Sequence, residues 1–168
     1  RIFSAKIERV IFTANCTAAL NQAIYGLATS GSNVVTTVTE HNSVLRPLYE
    51  LERRGEIELI TVAPETTMIT AADIEKNLSD DVSLVCVNGV SNVTGAENDI
   101  DGIGRLLKNT NAVFLVDGAQ AAGHIPLNVE SQNIDALCVP SHKGLLGIVG
   151  AGALILSSKA QIRPTIFG

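Results

Sequence analysis

Lys143 lies in the stretch Val139-Pro140-Ser141-His142-Lys143-Gly144, directly after an apolar run over residues 134–139. Asp117 closes a second apolar run, residues 112–116, and is followed by Gly118-Ala119-Gln120. If both runs are parallel strands of one sheet, the amine and the carboxylate emerge at the same edge. An amine there can condense with an aldehyde, and a carboxylate facing it can keep a ring nitrogen protonated. Those two needs together describe pyridoxal 5'-phosphate, whose protonated ring is the electron sink for a substrate carbanion. A loop lysine or a strand-end aspartate is ordinary by itself. The pairing of the two in one context is what points to a site.

The elements that must position them are legible as an alternation of β-branched runs and helical spacing, without internal repeats. Strands are expected at residues 10–13, 34–39, 57–62, 82–88, 112–117, 136–139 and 151–156. Leu20, Ile24 and Leu27 share one face of a helix over 17–28. A second helix, capped by Asn42 or Ser43, runs to Arg54 and ends at Gly55. Pro47 is tolerable in it only near the first turn. Thr70-Ala71-Ala72-Asp73 opens a short helix to residue 78 with a capping-box start, and 103–108 is helical. The glycine-rich connection from Gly144 to Gly152 is too short for a helical crossover, so the last strand is expected to run antiparallel to its neighbours. The sum is one α/β domain over 1–168: three α/β/α layers around a mostly parallel sheet with one antiparallel strand.

Ligands of open α/β sheets bind beyond the carboxyl ends of the strands. There the sequence places Asn15-Cys16-Thr17, Glu40-His41-Asn42, Ser91-Asn92-Val93-Thr94-Gly95, Asp117 with Gln120, and Ser141-His142-Lys143. Each group has a use. A helix start offers unpaired N–H groups to a phosphate, and Thr17 adds a hydroxyl. The His41 imidazole is flat and can stack on a ring. Asn92 and Gln120 can hydrogen-bond a ring oxygen. Cys16, at a helix start, is a small residue beside the phosphate that could carry a somewhat acidic thiol.

Composition narrows the partners. Hydrophobic residues make up 46% of the 168, which excludes a disordered chain. The net charge is −5 with no basic cluster, arguing against nucleic acid or an anionic membrane as partner. No apolar run approaches the roughly 20 residues that span a bilayer. The three cysteines are odd in number and scattered, which argues for a reducing, cytoplasmic setting. Cys86 and Cys138 fall in buried strands and read as packing residues, and His124 reads as solvated. The histidines lack the spacing of a metal site. A start at Arg1 and a stop at Gly168, in loop-like sequence, lead us to expect an excised domain.

At these residues the chain resembles the class V, fold-type I pyridoxal-phosphate enzymes, and within them the cysteine desulfurases. Thr39-Glu40-His41 resembles the family's ring-stacking histidine motif, and Ser91-Asn92-Val93-Thr94-Gly95 its asparagine loop. Asp117-Gly118-Ala119-Gln120 resembles its Asp-x-x-Gln signature, and Ser141-His142-Lys143 its His-Lys motif. The resemblance covers nearly the whole chain as the large cofactor domain. It implies pyridoxal 5'-phosphate bound covalently by Lys143, with His41 and Asp117 catalytic. It also implies that Thr17, Cys16, Asn92, Gln120, Ser141 and His142 hold the cofactor. It further implies an amino-acid substrate, a homodimer and a sulfur-acceptor protein. L-cysteine would become L-alanine and an enzyme persulfide in the intact protein, with nucleophilic cysteine and carboxylate-binding arginine beyond Gly168. Two departures stand out. Pro140 and Ser141 occupy positions where the family has a hydroxyl residue and a glycine, so one phosphate contact is lost or passes to Ser141. Asn15-Cys16-Thr17-Ala18 lacks the acidic residue many relatives carry after the threonine. A class V aminotransferase or another lyase on the same domain remains open. So does a scaffold that has lost its cofactor.

Overall fold

A computed structural model describes residues 2–167. The chain termini at Arg1 and Gly168, on which the reading of an excised domain rests, lie outside the described residues. A seven-stranded sheet forms the middle layer, in the order β1-β7-β6-β5-β4-β2-β3. Its strands are β1 (Val10–Thr13), β2 (Ser32–Thr37), β3 (Ile57–Val62), β4 (Val82–Asn88), β5 (Val113–Asp117), β6 (Ala136–Pro140) and β7 (Gly152–Leu156). The pairs among β2 to β6 are all parallel, and β7 runs antiparallel to both β6 and β1. One antiparallel strand in a mostly parallel sheet was the sequence expectation. The cause is the one inferred: residues 141–151 turn back without a helix.

Helices α1 (Cys16–Leu27) and α2 (Asn42–Arg53) cover one face; α3 (Ala71–Glu75) and α4 (Ile100–Leu107) cover the other. The strands supply both faces by simple alternation. Val85, Val87, Phe114, Val116, Leu137 and Val139 pack toward α3 and α4, with Ile74, Ile103 and Leu107. Leu84, Cys86, Leu115, Ala136 and Cys138 pack toward α1 and α2, with Leu20, Ile24 and Leu48. Cys86 and Cys138 are thus packing residues, 1% and 0% exposed.

Several element ends differ from the sequence reading, each for a local reason. Asn15 caps α1: its side chain accepts from the Ala18 N–H at 2.8 Å. The cap of α2 is His41 rather than Asn42 or Ser43, because Nδ1 of the imidazole takes the Ser43 N–H at 3.1 Å. Helix α4 starts at Ile100, three residues earlier than expected, because Asp99 caps it through the Gly102 N–H. Its glycines hid that first turn. Helix α3 does begin with the expected capping box between Thr70 and Asp73, but it stops at Glu75. Pro47 falls in the second turn of α2 and not the first. Having no N–H, it cannot bond the Ser43 carbonyl one turn back. Asn21 Nδ2 of α1 stands 3.5 Å from that oxygen.

The register sets the site. Asn88 of β4 lies opposite Asp117 of β5, and Asp117 opposite Cys138 of β6. The carboxyl ends of these central strands are therefore level, and the loops that leave them meet at a single edge of the sheet.

Candidate active site

A cavity of about 150 Å³ sits at that edge. Cys16, Thr17, His41, Asn92, Asp117, Gln120, His142 and Lys143 all line it, together with Asn15, Ser43, Asn88 and Val90. Ser141 alone among the residues singled out is absent from the lining. Its hydroxyl donates to the Ile148 carbonyl and its N–H to the Ala151 carbonyl, within the loop between β6 and β7.

Asp117 is the buried floor of the cavity, 4% exposed. Its Oδ1 accepts from the Ala119 N–H at 2.8 Å and faces the Cys16 thiol at 3.8 Å. Burial pushes its carboxyl above the usual carboxylate range, against the opposing pull of the Ala119 N–H, Lys143 and His41. It is a carboxylate site wanting a cation. The somewhat acidic thiol expected at Cys16 is not found. Burial and the Asp117 carboxylate push the thiol up and outweigh the favourable influence of Lys143.

On the opposite wall, α1 and α2 present their amino ends together. Thr17 Oγ1 lies 2.9 Å from Ser43 Oγ, which lies 2.8 Å from His41 Nδ1. Because Nδ1 accepts the Ser43 N–H, a neutral His41 imidazole carries its proton on Nε2. Ser43 ties the Thr17 hydroxyl to the imidazole, a link that the sequence, which offered Ser43 only as a helix cap, did not reveal. The leading N–H groups of a helix lack partners within it, and Cys16 and Thr17 both line the cavity.

Beneath the site lies a polar network that the sequence did not announce. Glu40 is 6% exposed. Its Oε1 accepts from the Asn88 N–H (2.8 Å), Asn88 Nδ2 (3.0 Å) and the Thr37 hydroxyl (2.8 Å). Asn88 Nδ2 also donates to the Thr39 carbonyl, and its Oδ1 accepts from Asn98. Oε2 of Glu40 has no hydrogen-bond partner among the described residues. Burial raises the Glu40 carboxyl from 4.5 to about 8, despite its hydrogen bonds to Asn88 and Thr37. A carboxyl whose folded value is raised adds stability that is complete below its unfolded value. That stability is lost as pH climbs through about 8. Glu40→Gln is therefore expected to flatten the decline in unfolding free energy between pH 5 and pH 8.5, by on the order of 3 kcal/mol. Urea melts across that range measure it. Parallel profiles for the two proteins would show that Glu40 does not titrate in the fold.

The residues fit pyridoxal 5'-phosphate. A buried carboxyl without a full cationic partner, an amine on the same cavity and helix N-termini beside a hydroxyl meet its ring nitrogen, aldehyde and phosphate. Among the described residues no group of three or more His, Cys, Asp or Glu side chains could hold a metal ion.

Comparison with known proteins gives the family. The family model described as aminotransferase class-V matches residues 1–168. Cysteine desulfurase IscS of Shewanella woodyi is 36% identical over 167 residues, covering 96% of this chain and 41% of that protein. IscS of Neisseria meningitidis serogroup C is likewise 36% identical over the same coverage. The chain thus spans about two-fifths of the length of the curated relatives it matches. Among solved structures, the apo cysteine desulfurase of Thermococcus onnurineus NA1 superposes with a TM-score of 0.90 at 32% identity, covering 99% of this chain and 43% of that one. DndA of Streptomyces lividans gives 0.90 at 28% identity, covering 99% and 49%.

Proposed function

Because the chain belongs to the class V aminotransferase family, we propose that it is the cofactor-holding domain of a pyridoxal 5'-phosphate-dependent cysteine desulfurase. The observation that carries this reading is the shared cavity. Lys143, Asp117, His41 and Thr17 come from four separate segments and line one space. The likeness to cysteine desulfurases in sequence and in fold supports the choice of reaction.

When bound, pyridoxal phosphate supplies an aldehyde for the amine and a ring that accepts electrons from the substrate's α-carbon. The chain's own residues do the rest. Lys143 Nζ would hold the aldehyde and, once released from it, would serve as the base for the α-proton of L-cysteine. Asp117 would keep a proton on the ring nitrogen. His41, fixed by Ser43, would offer its flat face to the ring. Asn92 and Gln120 would hydrogen-bond the ring oxygen, and Thr17, His142 and the first N–H groups of α1 would hold the phosphate. The carbon–sulfur bond of cysteine breaks. The sulfur passes to a protein cysteine outside this segment as a persulfide, and the carbon skeleton leaves as L-alanine. A sulfur-acceptor protein then takes the sulfur.

We also place the site at a homodimer interface. Leu146, Ile148 and Val149, on the loop after Lys143, are 90%, 80% and 75% exposed, and Phe12 of β1 is 83% exposed. Apolar side chains in that number want cover. The test of function is product analysis on the full-length protein with L-cysteine. Alanine and reducible sulfur in equal amounts are expected, with no dependence on an added keto acid. Amino transfer to a keto acid without sulfur release would assign the domain to an aminotransferase instead.

A further inference from the structure

Between Lys143 and Asp117 runs a second connection that does not pass through the sheet. The turn after β5 continues from Asp117 and Gln120 into Ala121-Ala122-Gly123-His124. It is held by the Ala122 N–H on the Gly118 carbonyl (2.9 Å) and by the His124 and Ile125 N–H groups on the Ala121 carbonyl (3.0 Å each). Its tip meets the backbone of Gly144, the residue next to Lys143. A β-carbon on Gly144 would lie 2.3 Å from the Ala122 carbonyl oxygen and 2.8 and 2.9 Å from Cδ2 and Nε2 of His124. A β-carbon on Gly123 would lie 2.2 Å from the Gly144 oxygen. Two backbones meet here with no room for a side chain on either.

We propose that the Ala122-Gly123-His124 turn is the seat of Lys143, and that Gly144, Gly123 and His124 are positioning residues for its amine. This rests on the reading of Lys143 as the residue that holds pyridoxal phosphate. The seat is part of the same turn as Asp117, so it sets the spacing of amine and carboxylate by backbone contact. His124 is exposed, as expected, and its ring stands beside Gly144. Substrate chemistry tolerates little displacement of a reacting group.

Gly144→Ala isolates the contact, since the Gly144 backbone, unlike that of Gly123 (φ +85°), needs no left-handed conformation. Gly150→Ala serves as comparison: it strains the same loop (φ +91°) but would touch nothing within 4 Å. Two readouts apply to the full-length protein. The first is the rate at which an amine-acylating reagent labels Lys143 in the cofactor-free protein, followed by mass spectrometry. The second is the rate of borohydride-stable capture of pyridoxal phosphate on Lys143. Gly144→Ala is expected to change labelling at least about threefold and to slow capture about tenfold. Gly150→Ala is expected to change neither. His124→Ala, at an exposed side chain, removes one wall of the seat and is expected to change labelling at least about twofold. No change in whichever of Gly144→Ala and His124→Ala folds, or an equal change in Gly150→Ala, overturns the proposal. The labelling arm needs no cofactor. A shift there, with no capture even in the unsubstituted protein, refutes the cofactor reading and leaves the seat standing.

Discussion

Lys143→Ala is expected to abolish covalent capture of pyridoxal phosphate and to lower cysteine desulfuration by about 10⁴-fold or more. The size reflects what the one amine is asked to do. It holds the aldehyde, and it takes the α-proton, a role worth up to about 10⁴-fold by itself. Among the described residues no other lysine lines the cavity, so no second amine there can deputise. Stability should barely change, because the Lys143 side chain is only half-buried. Steady-state assays and unfolding curves on the variant check both halves. Retained activity within about tenfold would remove Lys143 from the chemistry.

Asp117→Asn carries the second-largest effect. The buried carboxyl is raised by desolvation and waits for a cation. A ring nitrogen that is protonated supplies one. Removing one partner of a buried, hydrogen-bonded charge pair costs about 2–5 kcal/mol, so desulfuration should fall between about 30-fold and about 5,000-fold. The pH dependence has a definite sign. Asp117 must be ionised to pair with a protonated ring, and its folded value lies above the usual carboxylate range. Cofactor affinity in the unsubstituted protein should therefore weaken as pH falls through that raised value. Asp117→Asn should lose this acid limb while remaining folded. Equilibrium uptake measured against pH tests it, and an unchanged limb in the variant would assign the titration to another group.

The layers and the sheet were legible in the sequence because strands buried on both faces leave a plain mark. Residues 82–88 and 112–117 are dense in β-branched and apolar side chains, and the structure packs alternate ones toward opposite helical layers. The lining of the cavity was legible because five of the strands end in polar clusters. What escaped was whatever depends on contact between segments far apart. Ser43 joining Thr17 to His41 and the Glu40–Asn88–Asn98 network are pairings between separate elements that no spacing announces. The capping of α2 by His41 is local, two residues from Ser43, but an imidazole is not among the usual caps. The thiol of Cys16 illustrates competition. A helix start favours the thiolate, but burial and the carboxylate of Asp117 oppose it more strongly. Gly123 and Gly144 look like ordinary turn glycines until the two loops are seen to touch.

The central claim is that the Lys143 amine and the Asp117 carboxylate bracket one bound cofactor. Its most direct measurement is peptide mapping by mass spectrometry after the full-length protein is loaded with pyridoxal phosphate and reduced with borohydride. One pyridoxyl phosphate group per chain is expected, on Lys143, with capture weakened in Asp117→Asn. A modification spread over surface lysines, or stoichiometric capture on any residue other than Lys143, would contradict it.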